Sequence, residues 1–164
     1  MEVNLRRIIK VKITKEKKIH ITYEIENKIA SWDEYSFTCL DEAIPEFYCA
    51  LNMLAYDVIE LCELPDEYVE RIDVKGVSFS YGGEKEVMGA TISACMLLNH
   101  SNCPLSLNTP HKPSESYNDI TAAEDQILSD ITVQRLNDLI KQCKKYIDGE
   151  RAQTDLFLQN KGKQ

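Results

Sequence analysis

Residues 72–83 read Ile-Asp-Val-Lys-Gly-Val-Ser-Phe-Ser-Tyr-Gly-Gly. Apolar and polar residues alternate up to Gly76, and from Val77 onward they alternate on the opposite parity. Strict alternation is typical of a half-buried strand, and a change of parity at a glycine is what a one-residue β-bulge produces. The closing Gly-Gly pair supplies a turn. The stretch therefore predicts a bulged strand that leads into a hairpin.

The strand that returns from this turn is predicted to cover residues 87–98. Apolar residues occur there on both parities, for example Met88 and Ile92 on one and Cys95 and Leu97 on the other. A strand with two apolar faces is typical of the interior of a sheet. We therefore expect this strand to be central and covered on both sides.

The N-terminal part contains a second hairpin and one further strand. Ile9, Val11 and Ile13 alternate with lysines, and after a polar turn a second alternating run covers residues 19–25. Residues 32–39 (Trp-Asp-Glu-Tyr-Ser-Phe-Thr-Cys) have the same pattern. Three strands are therefore predicted before the first helix.

Two amphipathic helices are predicted. The first begins near Pro45, whose missing N–H costs nothing at that position, and its apolar residues recur every three or four positions until Pro65. The second is capped by Ser129 or Asp130 and is closed by Gly149. Its apolar stripe consists of Ile131, Leu136, Leu139, Ile140, Cys143 and Ile147.

The order of elements is β-β-β-α-β-β-α. Because strands come in hairpins and helices come separately, we expect an α+β fold: an antiparallel sheet of about five strands, two hairpins plus one strand, with two helices on one face. Residues 1–149 are expected to form a single α+β domain, and residues 150–164 a C-terminal tail. Residues 99–120, which contain three prolines, predict a long irregular connection.

Charge is distributed unevenly along the chain, whose formal net charge is −8. Residues 1–20 carry seven Lys or Arg against two Asp or Glu, whereas residues 21–90 carry four against sixteen. An acidic middle repels phosphate, so nucleic acid is expected to touch only the basic N-terminal hairpin. The candidate contacts there are Arg6, Arg7, Lys10, Lys12, Lys17 and Lys18, with Tyr23 and Trp32 as stacking aromatics.

The six cysteines contain no C-x-x-C pair, and the N-terminus does not have the pattern of a signal peptide. We expect reduced thiols, most of them small core residues, in a cytoplasmic protein with no membrane association. The best metal candidates are Cys95, His100, Cys103 and His111. Their spacing matches no common zinc site, so neither a metal nor another cofactor is predicted.

Residues 153–157 read Gln-Thr-Asp-Leu-Phe and follow the predicted helix end at Gly149. They resemble the pentapeptide with which bacterial proteins bind the DNA sliding clamp, whose pattern is Gln, a variable and often aliphatic residue, Ser or Asp, Leu, and Phe. The resemblance covers these five residues and matches four of them. It implies a bacterial sliding clamp as the partner.

Each residue of this motif has an implied role in peptide-in-groove recognition. Leu156 and Phe157 would fill a pocket, Gln153 would fix the register, and Asp155 would hold the turn that lets both anchors point one way. Thr154 is the departure from the pattern and predicts weaker binding. The alternative is that the apolar residues of this segment pack back on the core.

Longer phrases of the chain resemble small uncharacterised proteins of bacterial phages and prophages. They are Gly-Val-Ser-Phe-Ser-Tyr-Gly-Gly (76–83), Val-Met-Gly-Ala-Thr-Ile-Ser-Ala (87–94), Leu-Asn-Thr-Pro-His-Lys-Pro (107–113) and Gly-Glu-Arg-Ala-Gln (149–153). No activity transfers from this resemblance. It implies a genomic setting in which replication and recombination genes are common.

Three functions follow from the sequence. The first is a non-catalytic accessory protein of DNA replication or recombination that docks on the clamp. The second is a single-stranded DNA-binding protein that uses the basic hairpin. The third is an acidic inhibitor of a host nuclease or defence complex that uses a face rich in Asp57, Glu60, Glu63, Asp66, Glu67 and Glu70. No catalytic motif occurs, and the acids at helical spacing are expected on the solvent face of an amphipathic helix rather than in a metal-dependent nuclease site; they are Glu46, Asp57, Glu60 and Glu63.

Overall fold

The alternating runs of the sequence pair into one antiparallel sheet, which packs against α-helices in the computed structural model. The structure describes residues 6–116 and 123–152, and it confirms the predicted α+β class. The strands are β1 (Arg6–Ile13), β2 (Ile19–Glu26), β3 (Trp32–Cys39), β4 (Ile72–Gly82), β5 (Val87–Met96), β6 (Leu105–Asn108) and β7 (Lys112–Pro113). The helices are α1 (Pro45–Met53), α2 (Ala55–Leu61) and α3 (Asp130–Ile147), with 3₁₀ turns at Asp66–Arg71 and Glu124–Gln126.

The strand order is β3-β2-β1-β4-β5-β6, and β7 also pairs with β5. Two meanders, β1-β2-β3 and β4-β5-β6, therefore meet where β1 pairs with β4. The predicted strand count was too low, because the described residues hold seven strands. The two missed strands, β6 and β7, lie within residues 99–120, which were expected to be irregular.

Gly76 forms the bulge that the change of parity predicted. The β4–β5 register shifts between Val74 and Gly76, so Val74 and Val77 both point into the core although they differ in parity. A Cβ at Gly76 would lie 2.3 Å from the carbonyl oxygen of Val11 on β1. Glycine is thus required here because the β1 backbone approaches too closely for any side chain.

A second bulge, in β1, overturns the expected facing of the first strand. The β1–β2 register shifts between Ile8 and Lys10, so Ile8 and Val11 are fully buried while Ile9 is only half-buried. The sequence could not reveal this shift because isoleucine occupies both positions 8 and 9. The third strand was predicted with its observed bounds.

The helix predicted after Pro45 is divided into α1 and α2. Leu54 alone separates them, and its N–H donates to the carbonyl of Leu51 at 3.2 Å, three residues back instead of four. Phe47, Leu51, Leu54 and Val58 are nevertheless buried, as the periodicity predicts. The break is therefore a local tightening of one amphipathic run, and it brings the number of described α-helices to three.

Helix α3 begins and ends at its sequence signals. The Ser129 hydroxyl accepts a hydrogen bond from the Thr132 N–H at 3.3 Å, and Gly149 follows the helix with a φ of 101°. Ile131, expected in the apolar stripe, is 63% exposed because Thr132 occupies the stripe position in the first turn. The buried stripe consists of Thr132, Leu136, Leu139, Cys143 and Tyr146. None of the helices in the described parts of the chain combines the length and apolar character needed to cross a membrane.

The core lies between the helices and one face of the sheet. On β5, Ala90, Ile92 and Ala94 are buried in this core, whereas Thr91 and Ser93 on the other face are only half-buried. β5 is interior in the strand order, as predicted, but the expectation that both its faces are covered was wrong. The opposite face of the sheet, which the helices leave uncovered, is called the open face below.

Tyr81 provides a pH test of the packing at the end of β4. Its hydroxyl donates to the carbonyl of Ile8 at 2.8 Å, and burial raises its pKa to about 12. Since the unfolded chain releases this proton near pH 10, the free energy of unfolding should fall as the pH rises from 10 toward 12. We expect the fall to be shallower in Tyr81→Phe, measured by urea unfolding at several pH values. If the free energy of unfolding falls equally steeply with pH in wild type and in Tyr81→Phe, Tyr81 is not the source of this pH dependence.

Candidate functional site: the open face and the C-terminal anchor

Two rows of polar side chains cross the open face from strand to strand. They follow from the register of β1 to β6, which places every second residue of each strand on this face. The first row is Thr38, His20, Lys12, Gly76, Ser93 and Asn108, and the second is Ser36, Thr22, Lys10, Ser78 and Thr91. Neither row contains a carboxylate, although the chain carries a net charge of −8.

Lys10 and Lys12 are the cations of these rows. Both are exposed, and neither forms an ion pair within residues 6–116 and 123–152. By contrast, Lys18 in the adjacent turn pairs with Glu16 at 3.2 Å, and Lys75 pairs with Asp73 at 2.6 Å. The positive charge of the open face is therefore concentrated on the middle of β1.

His20 holds a hydrogen-bonded network beside these lysines. Its Nδ1 lies 2.8 Å from the Thr38 hydroxyl, and its Nε2 lies 3.2 Å from Ser36 and 3.3 Å from Thr22. The hydroxyls of Thr22 and Ser36 are in turn 3.0 Å apart. Because hydroxyls donate and accept, the network ties β2 to β3 and still presents O–H groups to the surface.

The two arginines predicted as nucleic-acid contacts are engaged within the protein. Arg6 donates two hydrogen bonds to the Asp148 carboxylate, at 2.8 and 3.1 Å, and this contact lowers the pKa of Asp148. Arg7 pairs with Glu24 and Glu86, each at 3.4 Å, and its guanidinium lies 3.8 Å from the centre of the Trp32 ring. Both arginines therefore pair with carboxylates of the protein, whereas the two lysines do not among the residues that the structure describes.

The predicted stacking aromatics also lie apart from the lysines. Tyr23 stacks on Tyr35, with ring centres 5.5 Å apart, and contacts Phe37 edge to face. These three residues share the parity of the buried Ile21, so they belong to the helix-covered side of the sheet. Trp32 is held under Arg7. Of the predicted contacts, Lys10 and Lys12 share the open face, while Lys17 and Lys18 lie in the turn after β1.

The acidic face is smaller than the sequence indicated, because Asp57 is buried. Asp57 is 1% exposed, and its Oδ1 accepts hydrogen bonds from the Thr132 hydroxyl at 2.6 Å and from Arg135 at 3.1 Å. Its other oxygen, Oδ2, is buried without a hydrogen-bond partner among the described residues. Asp57 thus joins α2 to α3 and is not part of a solvent face. The exposed acids of this region are Glu60, Glu63, Asp66, Glu67 and Glu70.

The structure does not assemble the metal candidates considered from the sequence. Within the described ranges, no three His, Cys, Asp or Glu side chains lie close enough together to hold a metal ion. His111 instead contacts the Ser80 hydroxyl at 2.7 Å and lies over Gly89, where a Cβ would be 2.5 Å from its Nε2. Among the six cysteines, Cys143 is buried in the core and Cys39 and Cys62 are half-buried against it, so half of them, and not most, are core residues.

Residues 153–157, which resemble the clamp-binding pentapeptide, lie outside the described residues, but hydrogen bonds hold the residues just before them. The Ala152 N–H donates to the carbonyl of Glu42 at 2.9 Å. The Arg151 guanidinium lies 3.5 Å from the centre of the Tyr146 ring, donates to the Tyr146 carbonyl and faces Asp41 at 3.8 Å. The chain therefore reaches Gln153 from a fixed point just before α1.

Comparison with known proteins adds no relative: no family model matches the chain, and no curated protein or solved structure is significantly similar to it. Only this chain's own residues therefore bear on its function.

The two polar rows could not be predicted from the sequence, because they require the register between β1 and β4, whose residues lie far apart in the chain. The sequence did indicate which residues share the open face, because Lys10 and Lys12 alternate with the buried Val11 on β1, and Ser78 follows the buried Val77 on β4.

Proposed function

We propose that the protein is a non-catalytic accessory protein of DNA replication or recombination that docks on a bacterial DNA sliding clamp through Gln153, Asp155, Leu156 and Phe157. The observation that carries this proposal is the Gln-Thr-Asp-Leu-Phe sequence at residues 153–157. Because this sequence resembles clamp-binding pentapeptides, it implies a sliding clamp as the partner and peptide-in-groove recognition as the binding mode. The phage-like phrases elsewhere in the chain are consistent with a replication setting.

The anchor at Ala152 supports a tethering role. Because the Ala152 N–H is bonded to Glu42, the motif begins at a fixed point of the domain rather than at the end of a long linker. A partner bound to the motif would therefore be held close to the start of α1. A short connection also raises the effective concentration of any second contact between the two proteins.

The binding energy is expected to reside in the two apolar anchors. Adjacent Leu and Phe side chains that fill a pocket contribute most of the affinity in such complexes, while the flanking polar residues fix the register. Thr154 supplies less apolar contact than an aliphatic side chain would. Affinity should therefore be lower than for a motif with Leu at this position.

The test is calorimetric titration of a purified bacterial sliding clamp with wild type and with the double variant Leu156→Ala/Phe157→Ala. We expect wild type to bind and the double variant to lose binding, because the pocket anchors are gone. Melting temperatures should be nearly equal. The single variant Leu158→Ala, which changes the next apolar residue outside the pentapeptide, is the matched control and should retain binding.

Two results would contradict the proposal. One is the absence of heat on titration with the wild-type protein. The other is a large drop in the melting temperature of the double variant with its clamp affinity unchanged, since large-to-small substitutions cost several kcal/mol only in a core. The second result would establish that Leu156 and Phe157 pack on the domain instead.

A further inference from the structure

We infer that the open face of the sheet is a binding surface for the phosphate backbone of single-stranded nucleic acid. This activity is separate from clamp docking and uses different residues. Its centre is Lys10 and Lys12 on β1, and its flanks are the hydroxyl groups on β2, β3 and β4.

Charge complementarity is the first argument. Lys10 and Lys12 have no carboxylate partner in the described part of the chain, and the two rows that cross the sheet at these residues contain no acid. The next row, of Arg7, Glu24 and Glu34, carries one positive and two negative charges, and Arg7 pairs with Glu24 at 3.4 Å, so the positive strip is limited to the two lysine rows. A strip of positive potential therefore crosses an otherwise acidic protein, and such a strip attracts polyanions.

The geometry of the strip suits a chain of phosphates. Side chains two residues apart on one strand face are separated by roughly 7 Å, so the two ammonium groups can contact phosphates from either side of a chain that crosses β1. The Thr22, Ser36 and Ser78 hydroxyls lie in the same row as Lys10. They can donate hydrogen bonds to phosphate oxygens on either side of β1.

The open surface of the sheet favours a single strand over a duplex. A rigid double helix touches an open sheet only along a narrow ridge, so its phosphates would meet a few of these donors at a time. A flexible single strand can lie across β3, β2, β1 and β4 and use the donors of both rows. The two rows contain no aromatic side chain, and Trp32, on the same side of the sheet, has one ring face covered by Arg7, so binding should depend little on base stacking or sequence.

The predicted affinity is weak and depends on salt. Two lysine contacts to a single strand give a slope of about −1.4 in a plot of log K against log salt concentration. That slope corresponds to a loss of roughly sevenfold between 50 and 200 mM salt. A dominant contribution from the whole basic N-terminus, including the arginines, would instead give a steeper slope.

The experiment is fluorescence anisotropy with a labelled mixed-sequence oligonucleotide at 50 mM salt. Wild type should bind, and Lys10→Glu/Lys12→Glu should lose at least ~10-fold in affinity and most of its salt dependence. The matched control is Lys17→Glu/Lys18→Glu, which changes the charge by the same amount in the turn after β1 and should have a much smaller effect. All four lysines are at least partly exposed, so melting temperatures should remain close to that of wild type.

Three outcomes would overturn the inference: no binding by wild type at 50 mM salt, equal losses in the two double variants, or tighter binding of a duplex of the same length. Equal losses would mean that net charge alone attracts the oligonucleotide. The clamp-motif variant Leu156→Ala/Phe157→Ala should bind the oligonucleotide as wild type does. Failure of clamp docking and failure of the open-face surface are therefore distinguished by separate variants.

Discussion

Asp57→Ala should lower the free energy of unfolding by about 3 kcal/mol, since removing one partner of a buried charge pair leaves the other uncompensated. Asp57 accepts hydrogen bonds from Thr132, which is 2% exposed, and from Arg135. Without the carboxylate, the Thr132 hydroxyl keeps only its contact with the Ser129 hydroxyl, at 2.9 Å, and Arg135 faces a cavity. The Arg135 side chain is 26% exposed, so water can reach part of it and hold the loss near the lower end of the usual range.

Urea unfolding and calorimetry measure this loss, which corresponds to a fall of roughly 10 °C in melting temperature for a domain of this size. Glu60→Ala is the matched control, because Glu60 lies on the same helix but is exposed. It should change stability by less than ~0.5 kcal/mol. Equal stabilities for the two variants would show that the Asp57 contacts contribute nothing to folding.

Gly76→Ala should also be strongly destabilising, by about 2 kcal/mol or more, because overpacking against a fixed backbone forces strands apart. The added Cβ would lie 2.3 Å from the carbonyl oxygen of Val11 and 3.0 Å from the Cα of Lys12. Neither atom can move without displacing β1. The expected result is a large drop in the unfolding midpoint in urea, with spectra of the folded state that still report a sheet.

Gly89→Ala provides the control, because glycine is replaced at a second crowded position of the same sheet. There the new Cβ would meet the side chains of His111 and Ser80, at 2.5 and 2.8 Å. Side chains can rotate away where a backbone cannot, so Gly89→Ala should cost less than Gly76→Ala. The reverse order would refute the argument that backbone proximity at the β1–β4 contact is what requires glycine.

Local periodicity predicted the elements whose signals are complete within a few residues. The bulge at Gly76, the bounds of β3 and the Ser129 cap of α3 were all predicted, because each depends on residues that are neighbours in the chain. The α+β class followed from the grouping of strands into hairpins. These features are set by backbone geometry and side-chain parity.

The missed features depend on partners that are distant in sequence. β6 and β7 are short edge segments that become strands only because β5 pairs with them. Helical spacing predicted Asp57 on a solvent face, but α3 brings Thr132 and Arg135, 75 and 78 residues away in the chain, against it. The β1 bulge is invisible because Ile8 and Ile9 satisfy the same pattern.

The candidate site was predicted in part. The sequence selected Lys10 and Lys12, but it grouped them with Arg6 and Arg7, which the structure pairs with Asp148 and with Glu24 and Glu86. Net charge along a segment cannot reveal such pairing, because it takes no account of which acids fold back onto it. The motif at residues 153–157 lies outside the described residues and stays a prediction.

The short pairing between β1 and β4 allows the two meanders to fold separately. Only Lys10–Ser78, Val11–Val77 and Lys12–Gly76 pair there, whereas β4 and β5 pair along their whole length. Residues 6–39 and 72–108 each build a meander from contacts that are local in sequence, and such contacts form quickly. The first meander can thus be complete on the ribosome before the second has been synthesised, and amide hydrogen exchange should resolve the two as separate cooperative units.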